Sequence, residues 1–320
     1  RYVFVSLRLA AVMSVAVAAV TSFWCGDILR IMQTPGNIFP GAYAYLLVTF
    51  LGIPCTFYYN LLACVIRALG DSRTPFWFLL FSTVLNIVLD LFCILVLGWG
   101  VAGAAIATVF SQGVSAALCY RYMMRRFEVL RGDASERRFS GKLARRLLSI
   151  GVPMGLQFSI TAVGSIMLQS ANNALGTACV AAFTAASKIE QVVTQAYVAL
   201  GTAMATFCAQ NMGAGKISRI RRGFRDATLM GIVYSLFAAL LVVTVGKYMT
   251  YLFISEEIET ILPSVDIYLK CVAAFFIPLT VVNLYRNGLQ GMGFGFLPMM
   301  AGVAELVGRG VTAVIAAGYG

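Results

Sequence analysis

The sequence predicts an all-α polytopic membrane protein. Three observations carry this. The 320 residues are 60% hydrophobic and only 12% charged, against about 25% charged in soluble domains. The mean hydropathy is +0.86. The apolar residues also fall in long unbroken runs, which fit helices, whereas the strands of a membrane β-barrel alternate apolar and polar positions.

Nine apolar segments are long enough to span: roughly 9–29, 41–66, 76–97, 100–120, 147–169, 178–209, 227–247, 264–285 and 298–318. Each supplies the ~20 residues that cross ~30 Å of hydrocarbon. Glycine-containing turns separate several of them: "RALGDSRTP" at 67–75, "AQNMGAGKIS" at 209–218 and "LQGMGFGFLP" at 289–298. Glycine ends one helix there, and in the first and third a proline restarts the next.

The net charge of +11 follows from topology rather than from nucleic acid. If every segment spans, 19 of the 24 Lys and Arg lie on one side, nine of them in 121–146 and five in 211–226. The other side carries Arg30, Lys247 and the acidic cluster Glu256, Glu257 and Glu259. An excess of basic residues marks cytoplasmic loops, so 121–146 and 211–226 are expected in the cytoplasm and the chain in the cell (inner) membrane.

The 121–146 loop also divides four segments from five, giving an N-lobe at 1–120, a linker at 121–146 and a C-lobe at 147–320. A shift of 223 residues superposes Tyr45 on Tyr268, Leu46 on Leu269, Asn60 on Asn283, Leu61 on Leu284, Gly70 on Gly293 and Pro75 on Pro298, while Pro54 and Pro278 miss by one. Segments two and three therefore match eight and nine, and one matches seven. Two equal lobes then need two helices before residue 1 and one after residue 320. The chain opens on Arg1 and stops as a helix ends. The expectation is nine of twelve helices, in two six-helix lobes related by a parallel pseudo-twofold repeat.

Several function classes are excluded. There is no histidine, and the eight cysteines lie singly with no CxxC pair, so they read as small packing residues. The Gly213–Lys216 stretch fails as a P-loop, because position 210 is Gln and Ile217 follows the lysine. With no nucleotide site, metal cluster or nucleophile constellation, the chain is not read as an enzyme and needs no cofactor. Work must come from an ion gradient.

Charges inside the apolar runs are the candidate site. Asn86 and Asp90 stand four apart on one helix face. An ionised Asp at mid-membrane costs ~2.5–3.5 kcal/mol. Such a group can take a proton, or with neighbouring oxygens a sodium ion, which is the one metal these two residues would serve. Lys188 and Glu190, two apart, point in different directions and form a possible accessory site. Glu305 and Arg309, at i, i+4, read as an internal salt bridge.

The chain resembles the multidrug and toxic compound extrusion (MATE) family. The carriers are "LACVIRALGDSRTP", "LNIVLDLFCILVLGWGVAGAAIATVFSQ", "GVPMGLQFSI", "AAFTAASKIEQ" and "CAQNMGAGK". The resemblance implies that 1–120 holds helices three to six and 147–318 helices seven to eleven. It implies that Asn86 and Asp90 match the cation site on the fifth helix of one prokaryotic branch, whose first-helix Asp partner would lie before residue 1. The branch coupled through the C-lobe has a Glu on helix seven, where Ser159 falls here, and a mid-membrane Asp on helix ten, where none falls; Asp266 is near the outer end. Those departures point away from C-lobe coupling.

The implied activity is efflux of amphipathic or cationic compounds in exchange for H⁺ or Na⁺ by alternating access. The expected form is a monomer in the bilayer, with no nucleic-acid or nucleotide partner. Helix seven offers Gln157, Ser159, Met167, Asn172 and Asn173 as cavity residues. Two alternatives are a lipid-linked saccharide flippase of the same superfamily, which would need a basic cavity for pyrophosphate, and a non-transporting membrane scaffold or receptor, in which Asp90 would be replaceable.

Overall fold

The computed structural model describes residues 1–32, 34–131, 138–173, 177–252 and 258–319. Twelve α-helices follow in order: α1 (Tyr2–Phe23), α2 (Cys25–Ile31), α3 (Phe39–Leu51), α4 (Ile53–Ala68), α5 (Arg73–Leu91), α6 (Gly100–Arg126), α7 (Gly141–Asn173), α8 (Thr177–Gly213), α9 (Ile217–Met249), α10 (Ile258–Ala274), α11 (Phe276–Gly291) and α12 (Phe296–Tyr319). No strand occurs among the described residues. Seven spans are single helices, and α3 with α4 and α10 with α11 make two more, bent by 42° and 52°.

The 223-residue shift read from sequence is also the offset of the structural elements. α4 begins at Ile53 and ends at Ala68; α11 begins at Phe276 and ends at Gly291. The break before each, at Gly52 and at Phe275, and the start of α5 and α12 keep the same offset. Gly70 and Gly293 both hold a left-handed backbone, φ 98° and 93°, the conformation that ends a helix with glycine. Asn60 and Asn283 each donate to the carbonyl four residues back, of Thr56 and Leu279.

Three helices outrun the bilayer. α7, α8 and α9 have 33, 37 and 33 residues, about 50–55 Å at 1.5 Å per residue against ~30 Å of hydrocarbon. Likewise α6 runs on to Arg126 and α7 starts at Gly141, so the ends of the polar 121–146 stretch are helical. The first apolar segment is interrupted at Trp24, where α1 gives way to the seven-residue α2.

The chain divides into two compact units, Arg1–Leu147 and Leu148–Gly320. In lipid no hydrophobic effect pulls helices together, so close approach through small residues does the packing. In the first unit the buried face of α6 reads Gly103, Ala107, Ser111, Ser115 and Cys119, one every four residues. α4 lays Tyr59, Leu62, Ala63 and Ile66 against Cys119 and Met123 of α6. In the second unit the buried face of α9 carries Ala227, Gly231, Ser235 and Ala238. There Ser235 Oγ lies 2.8 Å from Thr280 Oγ1 of α11.

Candidate functional site

α5 and α6 are joined by side-chain bonds that climb one turn at a time. Ser115 Oγ donates to the Phe78 carbonyl (3.3 Å). Ser82 Oγ donates to the Ser111 carbonyl (2.9 Å). Asn86 Nδ2 donates to Thr108 Oγ1 (3.3 Å), and Thr108 in turn donates to the Ala104 carbonyl (3.0 Å). Residues 78, 82 and 86 are spaced by one helical turn, and the next rung is Asp90. There the bonding stops: Asp90 Oδ1 is buried and has no hydrogen-bond partner among the described residues.

Both ends of this rung are fixed. One turn before it is the Asn86–Thr108 bond. Just beyond it Cys93 is buried against α6, so close that a Cβ on Gly103 would lie 2.9 Å from Cys93 Cβ. Cys93 itself lies in a π turn over Phe92–Val96, with Leu97 N–H bonded to the Phe92 carbonyl (3.1 Å). Such turns are frequent at functional sites. The loop that follows needs left-handed glycines at Gly98 and Gly100, φ 66° and 56°.

The opposite end of α5 is anchored by Asp71. Its Oδ1 accepts from the backbone N–H groups of Arg73 (3.1 Å) and Thr74 (3.0 Å), and Oδ2 accepts from Tyr122 Oη of α6 (2.7 Å). Burial alone would raise this carboxyl, but the hydrogen bonds from Thr74, Tyr122 and Arg73 outweigh it and hold the pKa at about 2.

The second unit has a cavity of about 550 Å³ whose polar lining includes Ser165 and Gln169 of α7, Ser187, Glu190 and Gln191 of α8, and Arg309 of α12. Tyr268 Oη of α10 donates to Glu190 Oε2 (2.8 Å). Across the cavity, Arg309 donates to Glu305 Oε1 (2.6 Å) and to Ser165 Oγ (2.8 Å). Arg286 of α11 takes the other Glu305 oxygen at 3.0 Å. One carboxylate thus answers two guanidinium groups.

The model of the MatE family matches residues 1–92 and 150–315. The chain belongs to the MatE family. It is 33% identical over 281 residues to the probable multidrug resistance protein YpnP of Bacillus subtilis (strain 168), an alignment covering 87% of this chain and 61% of that protein. It is 29% identical over 261 residues to the probable multidrug resistance protein YoeA of the same organism, covering 79% and 56%. The FAD transporter of Shewanella oneidensis is 23% identical over 291 residues, covering 89% and 64%. The chain thus spans about three-fifths of the length of these curated relatives. Among solved structures, an outward-facing multidrug resistance MATE family transporter of the MOP superfamily shares the fold, with a TM-score of 0.88 at 20% identity over 100% of this chain and 76% of that one.

Against this MatE fold, the residues singled out from sequence fall in different places. Asn86 bonds across to α6, and Asp90 follows one turn along α5 with a buried, unpartnered oxygen. Glu190 lines the second unit's cavity, while Lys188 is exposed on another face of α8. Gln157 packs between α7, α11 and α12. It is 2% exposed, accepts from Gln290 Nε2 at 2.8 Å, and lies against Gly302 of α12. Ser159 is exposed and bonds back to the Gly155 carbonyl. Met167 is exposed. Asn172 Nδ2 is buried without a partner among the described residues, and the Asn173 side chain lies outside them.

Ser165, Gln169, Tyr268 and Arg286 were missed. The signal for the cavity was present on α8, where Ser187, Glu190, Gln191 and Thr194 recur at i, i+3, i+4 and i+7 and form one polar stripe. Arg286 of α11 is bound to Glu305 of α12, nineteen residues away.

Proposed function

We propose that the protein exports amphipathic or cationic compounds from the cytoplasm in exchange for H⁺ or Na⁺, with Asp90 as the coupling carboxylate. The observation that carries this reading is the unpartnered buried oxygen of Asp90, one turn beyond the Asn86–Thr108 bond that joins α5 to α6. A proton would remove the unmet charge. A sodium ion would use the same oxygen, with Asn86 supplying a second donor through its amide oxygen. No group of three His, Cys, Asp or Glu that could hold a metal occurs among the described residues, so sodium would depend on such neutral oxygens.

Filling the site changes the charge between two packed helices, and any difference in ion and drug affinity between inward and outward states couples the two flows. The names of the Bacillus relatives, probable multidrug resistance proteins, support the substrate class. The protein acts as a monomer in the inner membrane, with lobes at 1–120 and 147–320 and the basic 121–146 and 211–226 loops in the cytoplasm. Glu190 is an accessory, and no resident cofactor takes part.

The test is efflux of a fluorescent cation from everted membrane vesicles under an imposed proton or sodium gradient, wild type against Asp90→Asn. Gradient-driven efflux that the inserted variant loses supports the assignment and names the ion. Undiminished efflux by the variant removes Asp90 from the mechanism. A second reading, export of an anionic compound, is favoured by Arg309 on the cavity wall and by the FAD transporter among the relatives. FAD offered to the same vesicles tests it.

A further inference from the structure

A groove of about 580 Å³ runs between α8 and α9. Its floor is apolar: Leu200 and Met204 of α8, with Ala227 and Met230 of α9. One end is different, because Arg219 and Arg222 form its rim. At 100° per residue, the α8 residues in this groove lie roughly 130° around the helix from those facing the Glu190 cavity. The groove therefore belongs to another face of α8.

The charge pattern sets the depth of the groove in the bilayer. Residues 227–246 of α9 carry no charge, and Asp226 and Lys247 bound them. Twenty residues at 1.5 Å each cover ~30 Å, the thickness of the hydrocarbon core. Ala227 and Met230 then lie at the inner edge of the hydrocarbon, Arg222 about 7 Å below it and Arg219 about 12 Å below. The headgroup layer adds about 5–7 Å on each side, so Arg222 stands at its outer edge and Arg219 about one helical turn beyond.

Both guanidinium groups are exposed, and neither has a hydrogen bond or ion pair among the described residues. Asp226, the acid on the rim, is already engaged by Arg225 at 3.3 Å. Phe207 caps the groove by lying over Gly223, where a Cβ would come within 2.3 Å of its ring. An apolar trough at acyl-chain depth that ends in two unpaired guanidinium groups, one at the outer edge of the headgroup layer and one just beyond it, matches an amphiphile with an anionic head.

We propose that this groove binds an anionic phospholipid of the cytoplasmic leaflet, its acyl chain along Met204 and Met230 and its phosphate between Arg219 and Arg222. Arginine suits a phosphate because its planar fork donates two parallel bonds. Basic pockets between helices on the cytoplasmic side bind such headgroups.

The test is native mass spectrometry of the intact protein released from nanodiscs of equal phosphatidylglycerol and phosphatidylcholine. Wild type should retain phosphatidylglycerol over phosphatidylcholine by several-fold. Arg219→Gln with Arg222→Gln should bring the ratio to about one. Arg221→Gln, in the same turn but off the groove, should leave it unchanged. Met230→Trp, which fills the trough without touching charge, should lower retention of both lipids. The proposal is overturned if the double variant keeps the preference, if Arg221→Gln abolishes it equally, or if Met230→Trp retains as much lipid as wild type.

Discussion

The Tyr268 hydroxyl donates to the Glu190 carboxylate at 2.8 Å and closes the wall of the second unit's cavity between α10 and α8. A bond to a charged acceptor is worth about 1.5–3 kcal/mol. Water entering the cavity can replace part of it, so Tyr268→Phe is expected to lower stability by about 1 kcal/mol. In Glu190→Gln the same tyrosine substitution should cost less. Thermal unfolding of the four variants in detergent measures the coupling.

Glu305 holds two cations, and they are not equally sheltered. The Arg286 side chain is 15% exposed and that of Arg309 is 30%. Glu305→Ala leaves both without their carboxylate; breaking a fully buried pair from one side costs about 3–5 kcal/mol, and with Glu305 28% exposed a smaller loss is expected. Arg309→Ala leaves Glu305 with Arg286 and is expected to cost much less. Replacing Glu305 and Arg286 together by Met should recover part of the loss. Melting temperatures in one detergent decide the order.

The Asp71 cap makes stability depend on acid. Its folded pKa of about 2 lies below the ordinary 3.8, so the unfolded chain binds a proton more readily. The contribution is fully present above about pH 4 and is lost as pH falls through about 2. Asp71→Asn should flatten the melting curve in that window, while Tyr122→Phe should leave a smaller slope. Unfolding followed from pH 5 to pH 2 tests both.

Gly291 ends α11 with its Cα against the backbone of α8. A Cβ there would meet the Ala205 carbonyl oxygen at 2.1 Å and its carbon at 2.8 Å. Backbone cannot swing aside as a side chain can, so Gly291→Ala must part the two helices and should cost at least the ~1–3 kcal/mol typical of overpacking. Gly155 of α7 has open space instead, and Gly155→Ala should gain up to about 1 kcal/mol from helix propensity. Opposite signs in the two melting temperatures are expected.

The sequence disclosed most of this frame because hydrocarbon thickness and helix rise leave little freedom. Nine apolar runs became nine spans, counting each bent pair as one, and the matched tyrosines, asparagines and glycines fixed the repeat offset. The breaks at Gly52 and Phe275 were hidden inside uniform apolar runs, where one residue changes no average. Nearby Pro54 lies in the first turn of α4, where its missing N–H costs nothing. The Asn86–Asp90 pair was legible because a carboxylate stands out in lipid. Its ladder neighbours Ser82 and Thr108 were not, since a hydroxyl bonded to a carbonyl looks like any small residue of a packed helix. Arg286 escaped because its partner lies nineteen residues away, across a turn.

The 223-residue offset makes the chain its own alignment, with every position from 39 to 91 answered by one from 262 to 314. On that ruler Asn86 is answered by Arg309, and Asp90 by Ala313. The same rung of a duplicated helix carries a neutral amide and an acid in one copy, a permanent cation and a methyl in the other. Arginine keeps its charge at any physiological pH. The second copy thus carries a fixed positive charge where the first has a neutral amide, and a methyl where the first has a carboxyl, so the duplication repeats the backbone of this helix without repeating its chemistry.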